Sequence, residues 1–321
     1  MITILTDPLL TGNQVLSESV RRIGRIPRDI FSPPKYNFGR YRGHYAVTRS
    51  LIEGLRKADL PFNYNPMRRR DLAETVLVLA GIGALRQAIE LKREGYYKKL
   101  YAGPNIVIFS SDNESLLASP EVDAAITPSQ WVVNLYAEDN ISLETRCFAW
   151  PAGVDVDFWK PLTVASRKCI LIYEKQNKGP VGPVAPYSLY LQEKGYTVEI
   201  IKYGTFNHTY YLEALQRACL MIGFVVNESQ GIAWAEAWAT DVPTLIWHNE
   251  RATYKGRSYR CSTAPYLNPA NGLFFNDMND FKQQIARWEA NPSQFSARDW
   301  TLANMSDEVC ARRLYHRITK C

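Results

Sequence analysis

The chain has 321 residues, 46% of them hydrophobic and 22% charged, a balance that suits a soluble globular protein and a length that allows two domains. No stretch approaches the roughly 20 apolar residues needed to span a bilayer, and the amino-terminal MITILTDPLL lacks the basic-then-apolar order of a secretory signal, so a cytoplasmic protein is expected. The net charge of +6 favours anionic partners and leaves phosphorylated substrates, acidic lipid and nucleic acid open.

In chain order, MITILT (1–6) reads as a strand and HYAVTRSLIEGLRKA (44–58) as an amphipathic helix. Gly39 and Gly43 stand just before that helix and His44 opens it, a geometry suited to an anion. The run Arg68–Arg70 reads as a solvated basic loop and gives a weak pointer to peripheral membrane contact. TVLVLA (75–80) and IVIFSS (106–111) follow as strands, and SQWVVNLYAED (129–139) as a helix. Alternation of this kind argues for a parallel sheet covered on both faces.

The pattern stops near residue 150 at WPAGVDVDFWKPLTVASRK, rich in proline, glycine and charge, which marks a domain boundary. It restarts with CILIY, YTVEII, CLMIGFVV and TLIW as strands, interleaved with PYSLYLQEKG, YYLEALQRA, IAWAEAWA and MNDFKQQIARWEA as helices. The final SARDWTLANMSDEVCARRLYHRITK has helical spacing and no following strand. The expected organisation is an amino-terminal domain over 1–155, a carboxy-terminal domain over 156–295, and terminal helices over 296–321 packing across the junction. Six scattered cysteines without C-x-x-C spacing suit free thiols in a reducing compartment and suggest neither a disulfide framework nor a zinc site.

The stretch ESQGIAWAEAWATDVPTL (228–245) places one acid, Glu236, among alanine, isoleucine and tryptophan. Within the helix, Ile232, Ala235, Glu236 and Ala239 share a face, so the carboxylate points with small apolar groups. A buried carboxylate without donors costs several kcal/mol. Two partners satisfy it equally well on helix pattern alone: a vicinal diol offering two hydroxyls, or an arginine in an internal salt bridge. Glu228–Gly231 precedes the helix, at the carboxyl end of a strand where open α/β sheets bind ligands.

The same stretch resembles the signature of retaining GT-B-fold glycosyltransferases of the large sucrose-synthase-like and mannosyltransferase-like group, the glycosyl transferases group 1. Glu228 and Glu236 match its two acids, Gly231 its glycine and Val242-Pro243 its closing pair. More loosely, DAAITPSQWVVNLY is similar to the last strand and helix of the family's amino domain, AGVDVDFWKP to its interdomain turn, and NGLFFNDMNDFKQQI to its final strand and helix. The resemblance implies two Rossmann-like doubly wound domains facing across a cleft. It implies a nucleotide-sugar donor whose ribose is held by Glu236 and whose sugar meets Glu228. The donor site would include Ser229, Gln230, Gly231, Ile232, Tyr203 and Gly204, the catalytic set Glu228, Lys178 and Lys175, and the acceptor or phosphate loop Gly39, Gly43 and His44. No cofactor and no metal are implied, the acceptor being a hydroxyl of a glycan, lipid or small molecule.

The chain departs from the family in two places. The family carries an arginine five residues before the lysine matched by Lys178, whereas this sequence has Tyr173; Lys175 is the nearest cation, and a lysine lacks arginine's bidentate fork. Residues 7–38 intervene between the first strand and the glycine loop. Asp155 and Asp157 form a D-x-D pair like the metal site of the GT-A architecture, but they lie at a domain hinge beside Phe158-Trp159, which suits packing. By analogy with the family, the sugar leaves phosphate through an oxocarbenium-like state and the acceptor attacks from the same face. The alternatives are a nucleotide-sugar epimerase of the same fold, or a catalytically degenerate protein binding a sugar nucleotide or nucleic acid; the intact acid pair speaks against the last.

Overall fold

The computed structural model describes residues 1–7, 44–66, 68–162, 168–175 and 182–320. The chain divides into two compact units, Met1–Trp150 with Ala311–Cys321, and Pro151–Cys310.

The first unit is built on a six-stranded sheet. Its elements are β1 (Ile2–Thr6), α1 (His44–Lys57), β2 (Phe62–Tyr64), β3 (Thr75–Ala80), α2 (Ile82–Arg93), β4 (Lys99–Asn105), β5 (Ala124–Thr127), α3 (Gln130–Asp139) and β6 (Cys147–Ala149). The strand order is β2-β1-β3-β4-β5-β6, parallel at every pairing. Strands covered on both faces read as continuous apolar runs, and β1 is buried along its whole length. On α2 the buried residues Ala84, Leu85, Ala88 and Ile89 recur at helical spacing and meet Val76 and Val78 of β3.

One strand differs from the pattern-based expectation. IVIFSS is not a strand; the chain pairs with β3 and β5 one segment earlier, at KLYAGPN. Gly103-Pro104 reads as a loop signal and masks that strand. Gly103 serves a close approach instead: its φ is +125°, and a Cβ there would lie 1.9 Å from the carbonyl oxygen of Ile126. Ile106 and Val107 still pack on the core, and Phe109 is buried, so the apolar run is used in packing without joining the ladder. The loosely matched strand at Ala124–Thr127 is followed by a further edge strand, β6.

The second unit contains β7 (Cys169–Lys175), α4 (Ala185–Glu193), β8 (Thr197–Lys202), α5 (His208–Arg217), β9 (Ala218–Val225), α6 (Ile232–Ala239), β10 (Thr244–Trp247), β11 (Arg251–Tyr254), β12 (Arg257–Arg260), β13 (Gly272–Phe275), α7 (Met278–Ala290) and α8 (Ala297–Asn304). Its parallel sheet has the order β13-β10-β9-β7-β8. Side-chain alternation along β7 sorts the core into two layers. Leu171 and Tyr173 join Tyr211, Trp234 and Trp238 on one face, and Ile170 and Ile172 join Phe224, Phe275, Phe281 and Ile285 on the other. β11 and β12 form an antiparallel hairpin outside this sheet, where the pattern-based reading places no element.

The glycine-rich segment after residue 150 is a clamped turn. Val154 N–H donates to Met305 O at 2.9 Å, Asp307 N–H donates to Val154 O at 3.0 Å, and a Cβ on Gly153 would lie 2.5 Å from the Asp307 backbone. Asp155 accepts from the backbone N–H of Asp157 at 3.2 Å, and Phe158 and Trp159 meet edge to face at 5.0 Å, so this D-x-D pair shapes a turn. The last helix, α9 (Asp307–Thr319), begins in the second unit, and residues from Ala311 onward belong to the first. Among the described residues no helix is long and apolar enough to cross a membrane, and the five described cysteines are free.

Arg298 on α8 gathers three carbonyls of the second unit, donating to Trp159 O at 3.0 Å, Val156 O at 3.2 Å and Ala239 O. Carbonyls left without donors cost about 1–3 kcal/mol. Arg298→Met, which keeps the apolar stem, is therefore expected to lower unfolding stability by about 1–3 kcal/mol, read from the urea midpoint at unchanged slope.

Candidate functional site

The site grows from α6. This helix is buried all round from Trp234 to Ala239, which leaves no solvent face for its one acid. Trp234 donates its indole N–H to Thr263 O at 2.9 Å and Trp238 donates to Thr244 Oγ1 at 3.0 Å, so both large rings are oriented by a polar end. Helix rotation is thereby set, and Glu236, 8% exposed, is carried toward Tyr173 and Tyr211, whose phenols feel its charge.

Gly231 starts the helix at φ +81°, ψ 54°, a left-handed conformation in which a Cβ would lie 2.2 Å from Trp234 Cδ1. Only glycine fits, which accounts for this element of the motif. The loop before it carries Glu228, whose backbone N–H donates to Ser262 O at 2.8 Å. Its carboxylate, at the carboxyl end of β9, receives Lys175 Nζ at 2.5 Å from the end of β7. Each side chain of this pair is 12% exposed. The same ammonium lies 4.6 Å from the centroid of the Tyr203 ring, which holds it from the other side. Tyr203 in turn is tied to the strand end by its N–H to Glu174 O at 2.9 Å, and Gly204 takes φ +88° in the turn that follows.

Lys175, Glu228, Tyr203, Glu236 and Tyr173 thus come together at the carboxyl edge of one sheet. Tyr173 occupies the position where the resemblance expects an arginine. It is 3% exposed, with Trp234, Tyr211 and Phe206 within 5.3–6.1 Å ring to ring. Burial above all, then the charges of Glu228 and Glu236, raise its phenol well above the usual tyrosine range, so it remains a neutral hydroxyl beside two acids. Tyr211, raised by burial and by Glu236, donates to Ala233 O at 2.8 Å. Nothing in the motif spacing points to Tyr211; its inward place on α5 is the only signal in the sequence.

The remaining expected residues fall in different places. Gln230 is 4% exposed and its amide is engaged with the backbone of Ala152, donating to its oxygen at 2.7 Å and accepting from its nitrogen at 2.9 Å. Ser229 is exposed, and Ile232 is half-buried as the first residue of α6. Lys178, Gly39 and Gly43 lie outside the described residues, as does the side chain of His44, whose backbone opens α1. Among the described residues no group of three His, Cys, Asp or Glu side chains is placed to hold a metal ion.

No family model matches the chain, and no curated protein sequence matches it. Solved structures do match. A glycosyltransferase of Rickettsia africae shares 12% identity over 100% of this chain and 99% of its own, with a TM-score of 0.54. HepE of Anabaena, in complex with UDP and glucose, shares 10% identity over 100% and 99% of the two chains, with a TM-score of 0.53. The catalytic domain of starch synthase IV from Arabidopsis thaliana, bound to ADP and acarbose, shares 9% identity over 86% and 76%, again with a TM-score of 0.53. At such identities the likeness is one of fold. The chain is a protein of the GT-B fold class, with two Rossmann-like parallel α/β units of six and five strands.

Two measurements probe this geometry. In a double-mutant cycle of Lys175→Met and Glu228→Gln, each single change strands a partly buried partner, so the pair is expected to couple by about 1 kcal/mol or more. Above pH about 10 the unfolded chain loses phenolic protons that buried Tyr173 and Tyr211 keep, so stability is complete below that pH and falls as pH rises. Tyr173→Phe is expected to flatten the alkaline limb by up to about 1.4 kcal/mol per pH unit, measured by urea unfolding from pH 9 to 11.

Proposed function

We propose that the protein is a retaining, metal-independent glycosyltransferase that binds a nucleotide-sugar through the second unit and transfers the sugar to a hydroxyl acceptor. The observation that carries this reading is the meeting of Glu228, Lys175 and Glu236 at the carboxyl edge of the second sheet, where doubly wound folds bind nucleotides. Glycosyltransferases of the same fold, one solved with UDP and glucose and another with ADP and acarbose, support the donor class. The acceptor is assigned to the first unit, with Gly39, Gly43 and His44 on its side of the reaction, and the enzyme is assigned to the cytoplasm.

In this reading Glu236 accepts hydrogen bonds from the two ribose hydroxyls. A carboxylate presents two acceptor oxygens, and a vicinal diol supplies two donors that match them. Glu228 accepts from a hydroxyl of the transferred sugar. Lys175 sits next to it as the cation for the diphosphate, where charge develops as the bond from the anomeric carbon to the phosphate oxygen breaks. The acceptor oxygen bonds to the anomeric carbon on the same face, and its proton passes to the departing phosphate oxygen. No protein nucleophile is required. Lys178 supplies the second cation, and Tyr173 contributes a neutral hydroxyl where the family has a guanidinium, which reduces leaving-group stabilisation.

That substitution also favours a second reading, a sugar-nucleotide-binding protein without turnover. One experiment addresses both. Thermal unfolding is measured with UDP-, GDP-, ADP- and dTDP-sugars for the wild type and for Glu236→Ala. A ligand at a hundredfold excess over its Kd stabilises by about 2.7 kcal/mol. The expected result is a rise in Tm of several degrees with donors of one nucleotide, lost in Glu236→Ala. No shift with any donor overturns both readings, while a shift without release of nucleoside diphosphate over a panel of acceptors favours the second.

A further inference from the structure

The hairpin of β11 and β12 adjoins the loop that carries Glu228, Asn227 Nδ2 donating to the Tyr259 hydroxyl at 3.4 Å, and its composition is unusual. Residues 251–260 hold four cations and no acid. The register sets Arg251 opposite Arg260, Thr253 opposite Ser258 and Tyr254 opposite Arg257. Residues two apart share a face, so Arg251, Thr253, Ser258 and Arg260 form one face, and all four are exposed. The other face carries buried Ala252 and half-buried Tyr259 at its base, which turns toward the protein, and exposed Tyr254 and Arg257 nearer the turn.

Like charges directly opposite one another destabilise a strand pair. Here Arg251 and Arg260 are such a pair, and neither has an ion-pair partner among the described residues. The hairpin is nevertheless firmly built. Lys255 and Gly256 both take positive φ, 49° and 75°, as a two-residue turn matched to strand twist requires. At its base Cys261 N–H donates to Glu250 O at 2.9 Å, and Asn249 Nδ2 donates to Val226 O at 2.7 Å. A rigid, outward-facing set of two guanidinium groups and two hydroxyls is complementary to phosphate oxygens.

We infer that this hairpin face docks the protein on an anionic lipid surface, with Arg251 and Arg260 taking lipid phosphates. Two features favour a bilayer over other polyanions. All four residues of the cationic face are exposed, so it offers no enclosure for a small anion. It carries no aromatic ring, whereas single-stranded nucleic acid binding pairs cations with stacking rings on one surface. The exposed aromatic, Tyr254, falls on the opposite face with Ala252, its ring centroid 5.5 Å from Lys255 Nζ. The inference is independent of the transferase reading, and it differs from the weak pointer at Arg68–Arg70.

The test is co-sedimentation of the full chain with phosphatidylcholine vesicles, with and without phosphatidylglycerol, at low and high salt. Binding is expected only to the mixed vesicles, weakening with salt as the charges are screened. Arg251→Gln with Arg260→Gln is expected to reduce it about tenfold or more, and Arg68→Gln with Arg70→Gln to leave it unchanged. Circular dichroism and melting of each variant check the fold. Equal binding to neutral vesicles, no binding to either, indifference to the hairpin substitutions, or tighter binding to a single-stranded oligonucleotide or heparin each overturns the inference. Nucleotide-sugar stabilisation persisting in the hairpin variant separates this outcome from failure of the transferase reading.

Discussion

The burial of α6 on every side from Trp234 to Ala239 is the constraint on which the second unit depends. An eight-residue helix with two tryptophans and four alanines has no polar stripe, so it must lie wholly inside the α/β layer. Alanines let the helix approach the sheet closely, and each tryptophan fixes its rotation by giving its N–H to a neighbouring oxygen. Once rotation and depth are set, the single acid has nowhere to go but toward the strand ends. Gly231 is a consequence of the same packing, since Trp234 fills the volume that any side chain there would need.

The environment thus created treats charged and neutral groups differently. Glu228 is paired with a lysine 2.5 Å away, whereas Tyr173, ringed by aromatics, is driven to remain a neutral phenol. A guanidinium at position 173 would need to be desolvated among Trp234, Tyr211 and Phe206. Placing the cation two residues further along β7, on the same side of the strand but at its edge, avoids that penalty. Tyr173, where the resemblance expects an arginine, and the position of Lys175 are two sides of one arrangement.

Most of the fold was legible because long apolar runs and strong helical periods rarely mislead: β1, β3, β7 and β9 coincide with their runs, and α6 and α7 with IAWAEAWA and MNDFKQQIARWEA. Elements escaped where the physical signal ran the other way. β4 hides behind Gly103-Pro104, β2 and β6 are three residues long, and the β11–β12 hairpin has no apolar alternation because one of its faces is wet and basic. In the site, Glu228 and Glu236 stand out from their spacing within one β-α-β unit. The partnership of Lys175 with Glu228, 53 residues apart, is a product of strand order and leaves no trace in local pattern. Gln230 shows the converse, sitting within the motif with its amide turned to the backbone of Ala152.

The closing of the turn at Gly153–Val154 by residues 305–307 bears on how the chain comes to be folded during synthesis. Val154 waits for hydrogen-bonding partners that emerge from the ribosome about 150 residues later, and the first unit is completed only by residues from Ala311 onward. Neither unit can therefore reach its final form vectorially, and a chain stopped before residue 305 would leave both incomplete. Loss of a short carboxy-terminal stretch should behave as a defect of the whole molecule and not as the trimming of a tail.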